Sequence, residues 1–198
     1  MITGMKWLRK FFRIGNPVPS GLALAKEVRL PDEGKLAAEL CMDLRGSADG
    51  IKGAQDALEA FYDEGLVHVV DWADSPDMVM ENLAGLFTVD RALSQRQIEA
   101  VMKIGESAGS AGRGHTSYPT LCALDEALLG TGTRLLNLDT TGDGFNIARV
   151  SDALWDKWHD VALSMVEIGG KTYSDFAVLQ LKPGNDVPAN RVLRVLPR

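Results

Sequence analysis

Arg134-Leu-Leu-Asn-Leu-Asp-Thr-Thr-Gly-Asp-Gly-Phe-Asn-Ile-Ala-Arg-Val150 decides the fold class. Arg134–Leu138 and Phe145–Val150 are rich in aliphatic and β-branched residues and short enough to be strands. Between them Asp139-Thr-Thr-Gly-Asp-Gly144 is built from residues that tolerate tight turns. A hairpin makes the sheet antiparallel at this point. Three further strands are predicted at Leu66–Trp72, Val178–Leu181 and Val192–Val195, the last two around Pro183-Gly184. They do not alternate regularly with helices, which excludes a doubly wound sheet.

Helical patterns fill most of the rest. Residues 34–45 follow Pro31-Asp32, and residues 51–64 carry Ile51, Ala54, Leu58, Phe61 and Tyr62 on one stripe, with Asp56, Glu59 and Asp63 on the other. Gly65 is a natural stop. Ser75-Pro76 opens a helix to about Phe87. Ser94 and Gln97 form a capping box for a helix over 95–107, and Tyr118-Pro119 begins one that runs to Leu129. Ser151 caps a helix expected over 152–167, with Leu154, Trp155, Trp158, Val161, Ala162 and Met165 on its inner stripe. The expected architecture is α+β: a helix-rich single domain with a small, mainly antiparallel sheet. An amphipathic basic arm and linker occupy 1–20, the core 21–170, and a basic segment with short strands 171–198.

The chain has 198 residues and is 45% hydrophobic and 24% charged, the balance of a globular domain able to bury a core. Its net charge of −6 is uneven. Residues 1–25 carry +4 and residues 171–198 carry +3, leaving −13 for the body. The stretch 53–90 holds nine acids and no lysine or arginine. Such a body repels nucleic-acid backbone and attracts a basic partner. These acids also serve solubility simply as solvated helix faces. The arm places Lys6, Arg9, Lys10 and Arg13 at i, i+3, i+4 and i+7, with Trp7, Leu8, Phe11 and Phe12 on the other side. It lacks the apolar core and cleavage site of a secretory signal. A segment of this kind packs on its own domain or on a partner, or lies on an anionic membrane through residues 5–14. Gly15–Ser20 reads as its linker. No apolar run reaches the ~20 residues of a spanning helix.

No motif calls for a cofactor, a metal or a catalytic residue. Asp139-x-Thr-x-Asp143-Gly144 is half of a calcium loop, but position 3 is Thr141, position 12 is Val150, and the flanks are strands. It reads as a polar turn, or as a ligand site lined by Asp139 and Asp143. The glycines at 105, 109, 112 and 114 match neither a P-loop nor a dinucleotide fingerprint. They read as a surface loop, with a lid carrying Arg113 and His115 as the sharper alternative. His68, His115 and His159 have no partner at zinc-ligand spacing. Cys41 and Cys122 read as small buried helix residues.

Val67-His-Val-Val-Asp-Trp72 with Asp74-Ser-Pro-Asp77, and Leu135-Leu-Asn-Leu-Asp-Thr140 with Asp143, resemble the bacterial family known only as domain of unknown function 6630. The likeness covers roughly residues 35–168 and departs at Thr141-Gly142. It implies a bacterial cytoplasmic α+β domain and brings no activity with it. The positions it shares with this chain are Asp71, Trp72, Asp139, Thr140 and Asp143.

The leading expectation is a non-enzymatic protein-binding module of a bacterial cytoplasm. It would be of the immunity type, neutralising a basic protein through its acidic face. The binding residues expected are Asp71, Trp72, Asp74, Asp139, Thr140 and Asp143, with Trp72 as anchor. The competing expectation is a small-molecule binder or hydrolytic enzyme with its site at the Asp139–Asp143 hairpin. The sequence does not settle the oligomeric state.

Overall fold

The computed structural model describes residues 26–28, 33–87, 92–109, 116–140, 144–168 and 171–183. In chain order the elements are β1 (Lys26–Val28), α1 (Glu33–Arg45), α2 (Ala54–Asp63), β2 (Val67–Asp71), α3 (Pro76–Phe87), α4 (Gln95–Gly109), α5 (Ser117–Ala127), β3 (Thr133–Asp139), β4 (Gly144–Ser151), α6 (Asp152–Trp158), β5 (Val161–Ile168) and β6 (Lys171–Gln180). The strands form one sheet in the order β1-β5-β6-β3-β4-β2, and every pairing is antiparallel. This is the α+β domain that the hairpin predicted, with the hairpin itself at β3–β4.

Both faces of the sheet are covered. Leu136 and Leu138 of β3 pack with Leu40, Phe61 and Trp158 from α1, α2 and α6. Leu135 on the other face packs with Val79, Leu83, Val101 and Leu121 from α3, α4 and α5. That explains why β3 reads as a nearly unbroken apolar run: a strand between two helical layers has no face for water. Asp125, only 2% exposed, ties α5 to the sheet. Its carboxylate takes the fork of Arg134 at 3.0 and 2.5 Å and the Leu135 N–H at 2.7 Å. On the opposite layer, Asp43 accepts the Trp158 indole N–H at 2.7 Å and Lys157 Nζ at 2.6 Å, fixing α6 on α1.

The local stop and start signals hold. Ser94 and Gln97 make the reciprocal cap at 3.4 and 3.0 Å, and Ser151 Oγ accepts from Leu154 N at 3.3 Å. Gly65 closes α2 at φ +68°. Cys41 and Cys122 are both buried, in α1 and α5.

Three sequence expectations need correction. The helix expected over 152–167 ends at Trp158, and Val161–Ile168 forms strand β5. No glycine or proline marks the break. Asp160 makes it by taking φ +62°, a conformation aspartate tolerates better than most residues. Its carboxylate is held by the Gln180 side-chain amide and accepts from Gln180 N at 3.4 Å. Beyond the break Val161 and Leu163 both enter the core cluster beneath α1 and α2, a period of two, whereas the helical stripe read from the sequence took Val161, Ala162 and Met165. The strand expected at 178–181 is longer and earlier, 171–180. It lies between β5 and β3, so residues 171–180 belong to the sheet of the core and the boundary at 170 falls inside a hairpin. Helix α4 continues to Gly109, taking in the first glycines of the expected loop. The arm 1–20, Arg113, His115, Asp143 and the strand expected at 192–195 lie outside the described residues.

Candidate protein interface at the β2 edge of the sheet

Among the described residues, β2 is an outer strand of the sheet and pairs with β4 alone, from Val67↔Ala148 to Asp71↔Gly144. Its outer backbone edge is a template for another chain. Val67 and Val70 are buried, whereas Val69 is 51% exposed. At the strand's end the chain turns through Asp71-Trp-Ala-Asp74, and Trp72 projects with 45% of its surface exposed.

The turn is rigidly built. Asp74 N donates to Asp71 O at 3.1 Å, and Ala73 N donates to Asp71 Oδ1 at 2.8 Å, a local turn that aspartate favours. Asp74 is 5% exposed. Its Oδ2 accepts from Asp71 N at 2.9 Å and from Asn82 Nδ2 at 2.8 Å, which joins the turn to α3. From behind, the start of α5 clasps the loop. Thr116 Oγ1 donates to Asp74 O at 2.6 Å, and the Ser117 hydroxyl lies 2.8–3.0 Å from the carbonyls of Asp71, Trp72 and Asp74. An indole on such a support loses little freedom when it binds.

Acids flank this edge on both sides, because α2 precedes β2 on one face of the sheet and α3 follows it on the other. Glu59, Asp63, Asp71, Asp77 and Glu81 are all exposed. Glu64 is tied to Arg45, Nε to Oε1 at 2.8 Å, and that bond draws its carboxyl below its ordinary range. Five acids of the run are thus exposed on β2 and on the helices before and after it in the chain.

Asp139 and Thr140 close β3 at the same end of the sheet as Asp71, two strands away, roughly 10 Å at the usual spacing. Here β3 and β4 separate. Their ladder stops at Asn137↔Ile147, while β3 continues along β6 to Asp139↔Ala177 and β4 along β2 to Gly144↔Asp71. Side chains bridge the gap. Asn137 Oδ1 accepts from Asn146 N at 3.0 Å, and Asn146 Nδ2 donates to Leu138 O at 2.7 Å and reaches Thr140 Oγ1 at 3.5 Å. The Tyr62 hydroxyl donates to Asn146 Oδ1, and burial pushes its pKa up to about 12. Each of these bonds joins one member of the group to another or to backbone, and the group works as a clamp for the split hairpin.

Of the expected binding residues, the structure brings Asp71 and Trp72 to an exposed corner. It turns Asp74 inward as a structural acid and sets Asp139 and Thr140 at the end of β3, two strands away. Sequence reading missed Val69, Thr116 and Ser117. Val69 shares the period-two face of Val67, so the alternation alone predicts it buried, yet it is exposed where Val67 is not. Thr116-Ser117 before Tyr118-Pro119 is a legible helix start, but its hydroxyls serve a loop more than 40 residues away. No helix among the described residues is long and apolar enough to cross a membrane, and no cluster of three metal-ligating side chains occurs among them. Comparison with family models, with curated proteins and with solved structures returns no match.

Proposed function

We propose that the chain is a non-enzymatic protein-binding module of a bacterial cytoplasm, of the immunity type, that holds a basic protein at the outer edge of β2. The observation that carries this reading is the corner itself. A half-exposed indole stands on a clasped turn, at the end of an outer strand, within a stretch that has nine acids and no lysine or arginine. Edge-strand pairing supplies backbone hydrogen bonds. The indole supplies an anchor of the type that dominates interface energetics. The surrounding acids steer a basic partner and reject an acidic one.

Affinity capture from the source cell at low and high salt, with wild type and Trp72→Ala side by side, tests it. The reading predicts one basic, stoichiometric partner, released at high salt and held at least about 30-fold more weakly by Trp72→Ala. A partner retained equally by Trp72→Ala and insensitive to salt contradicts it, as does the absence of any partner.

A further inference from the structure

A second surface lies on the outer helical layer. Along α4, Gln95, Ile98, Glu99, Met102, Lys103 and Glu106 recur at helical spacing and, with Asp77 and Met80 of α3, line an open groove of about 540 Å³. Its apolar floor is Met80, Ile98 and Met102. Its walls carry Asp77, Glu99 and Glu106 against one lysine. Gln95 to Glu106 rises about 17 Å, and a ten-residue helix is about 15 Å long. Methionine floors adapt to bulky aromatic guests. Acid-walled apolar grooves of this kind take basic amphipathic helices.

This chain contains such a segment. Residues 5–14 place Lys6, Arg9, Lys10 and Arg13 at i, i+3, i+4 and i+7 beside Trp7, Leu8, Phe11 and Phe12. We propose that this arm is the occupant of the α3–α4 groove in the same molecule, its aromatic side on the methionines and its cations on Asp77, Glu99 and Glu106.

The chain geometry permits it. The groove opens at Asp77 and Glu106, where α4 meets the start of α3: a Cβ on Gly105 would stand 2.7 Å from Pro76 Cγ. That is the end of the sheet where β2 finishes. Strand β1 enters from the same end, Lys26 pairing with Glu167 near the β5–β6 turn. Five strand spacings and the overhang of that hairpin separate Lys26 from the groove mouth, roughly 30 Å in all. Residues 15–25, fully extended, span about 36–40 Å. The link is long enough, with little to spare.

Tryptic cleavage of the full chain at Lys6, Arg9, Lys10 and Arg13, followed by mass spectrometry, tests the proposal. At low salt these sites should be cut roughly tenfold more slowly in wild type than in Glu99→Lys/Glu106→Lys, whose substitutions are on the exposed face of α4. Thermal melts check that the variant is folded. Arg9→Glu/Arg13→Glu placed in that variant should restore part of the protection. Deleting residues 16–20 shortens the reach to about 20 Å and should abolish it. Equal cleavage in wild type and the charge-reversed variant overturns the proposal. Protection that survives the deletion and appears only with dimer mass in light scattering overturns docking in the same molecule and assigns the groove to a second copy. Wild-type chain that floats with phosphatidylserine vesicles as fully as the charge-reversed variant shows a free arm, and likewise overturns it. None of these readouts involves the β2 corner, so the two proposals fail independently.

Discussion

At the scale of single residues, the β2–α3 corner separates two aspartates that look equivalent in sequence. Asp71 is exposed and available to a partner, whereas Asp74 is buried and occupied by Asp71 N and Asn82. Asp74→Ala should therefore lower stability by about 1–3 kcal/mol in urea unfolding, because the turn loses both hydrogen bonds to its buried carboxylate, from Asp71 N and from Asn82 Nδ2. Trp72→Ala should change stability by less than about 1 kcal/mol while weakening the partner. If Trp72→Ala unfolds the chain as readily as Asp74→Ala, the indole is core and not an anchor. Tyr62 gives a pH prediction. Burial raises its pKa from 10.0 to about 12, so the folded state holds the phenolic proton more tightly than the unfolded state. The stability tied to that proton is present below pH 10.0 and is lost as pH rises toward about 12. Tyr62→Phe should remove this part of the alkaline loss and lower stability at neutral pH by about 1–3 kcal/mol, because Asn146 loses its donor. An unchanged alkaline profile would contradict the role given to this phenol. Residue type alone made Trp72 legible. It could not show which of Asp71 and Asp74 faces water, because that depends on α5 closing behind the turn.

At the scale of elements, the legible parts were those whose causes are local. The caps at Ser94 and Ser151 and the stop at Gly65 act through hydrogen bonds or dihedral angles within a few residues, so their spacing shows in the sequence. The α6–β5 break was hidden, because Asp160 takes a left-handed conformation with the help of Gln180, twenty residues later. Strand β1 was hidden too, being three residues long and paired with β5, far along the chain. Gly105 shows how a glycine in a loop-like sequence can be a packing residue instead. A Cβ there would lie 2.1 Å from Thr120 Oγ1 and 2.7 Å from Pro76 Cγ, so α4 can approach α5 and α3 only without one. Gly105→Ala should cost about 1–3 kcal/mol through overpacking, although alanine is the better helix former. A gain in thermal midpoint would mean that the three helices are not packed this closely in solution.

At the scale of the whole molecule, sheet order turns a linear charge pattern into a surface. The acids of 53–90 were plain in the sequence, but they could have been scattered over solvated helices. Five that are exposed lie on β2 and on α2 and α3, which pack on opposite faces of the sheet, and among the described residues the strand between them is an outer one. Strand order cannot be read from composition, so the edge position of β2 and the exposure of Val69 come from the fold alone. The central claim is that this edge is where a basic protein binds. Amide hydrogen exchange on the full chain, free and with its captured partner, tests that claim most directly. Protection gained on binding over residues 67–74, with the outer helices α1 and α4 little changed, is the predicted result. Protection confined to other elements, with the 67–74 amides exchanging as in the free chain, would contradict it.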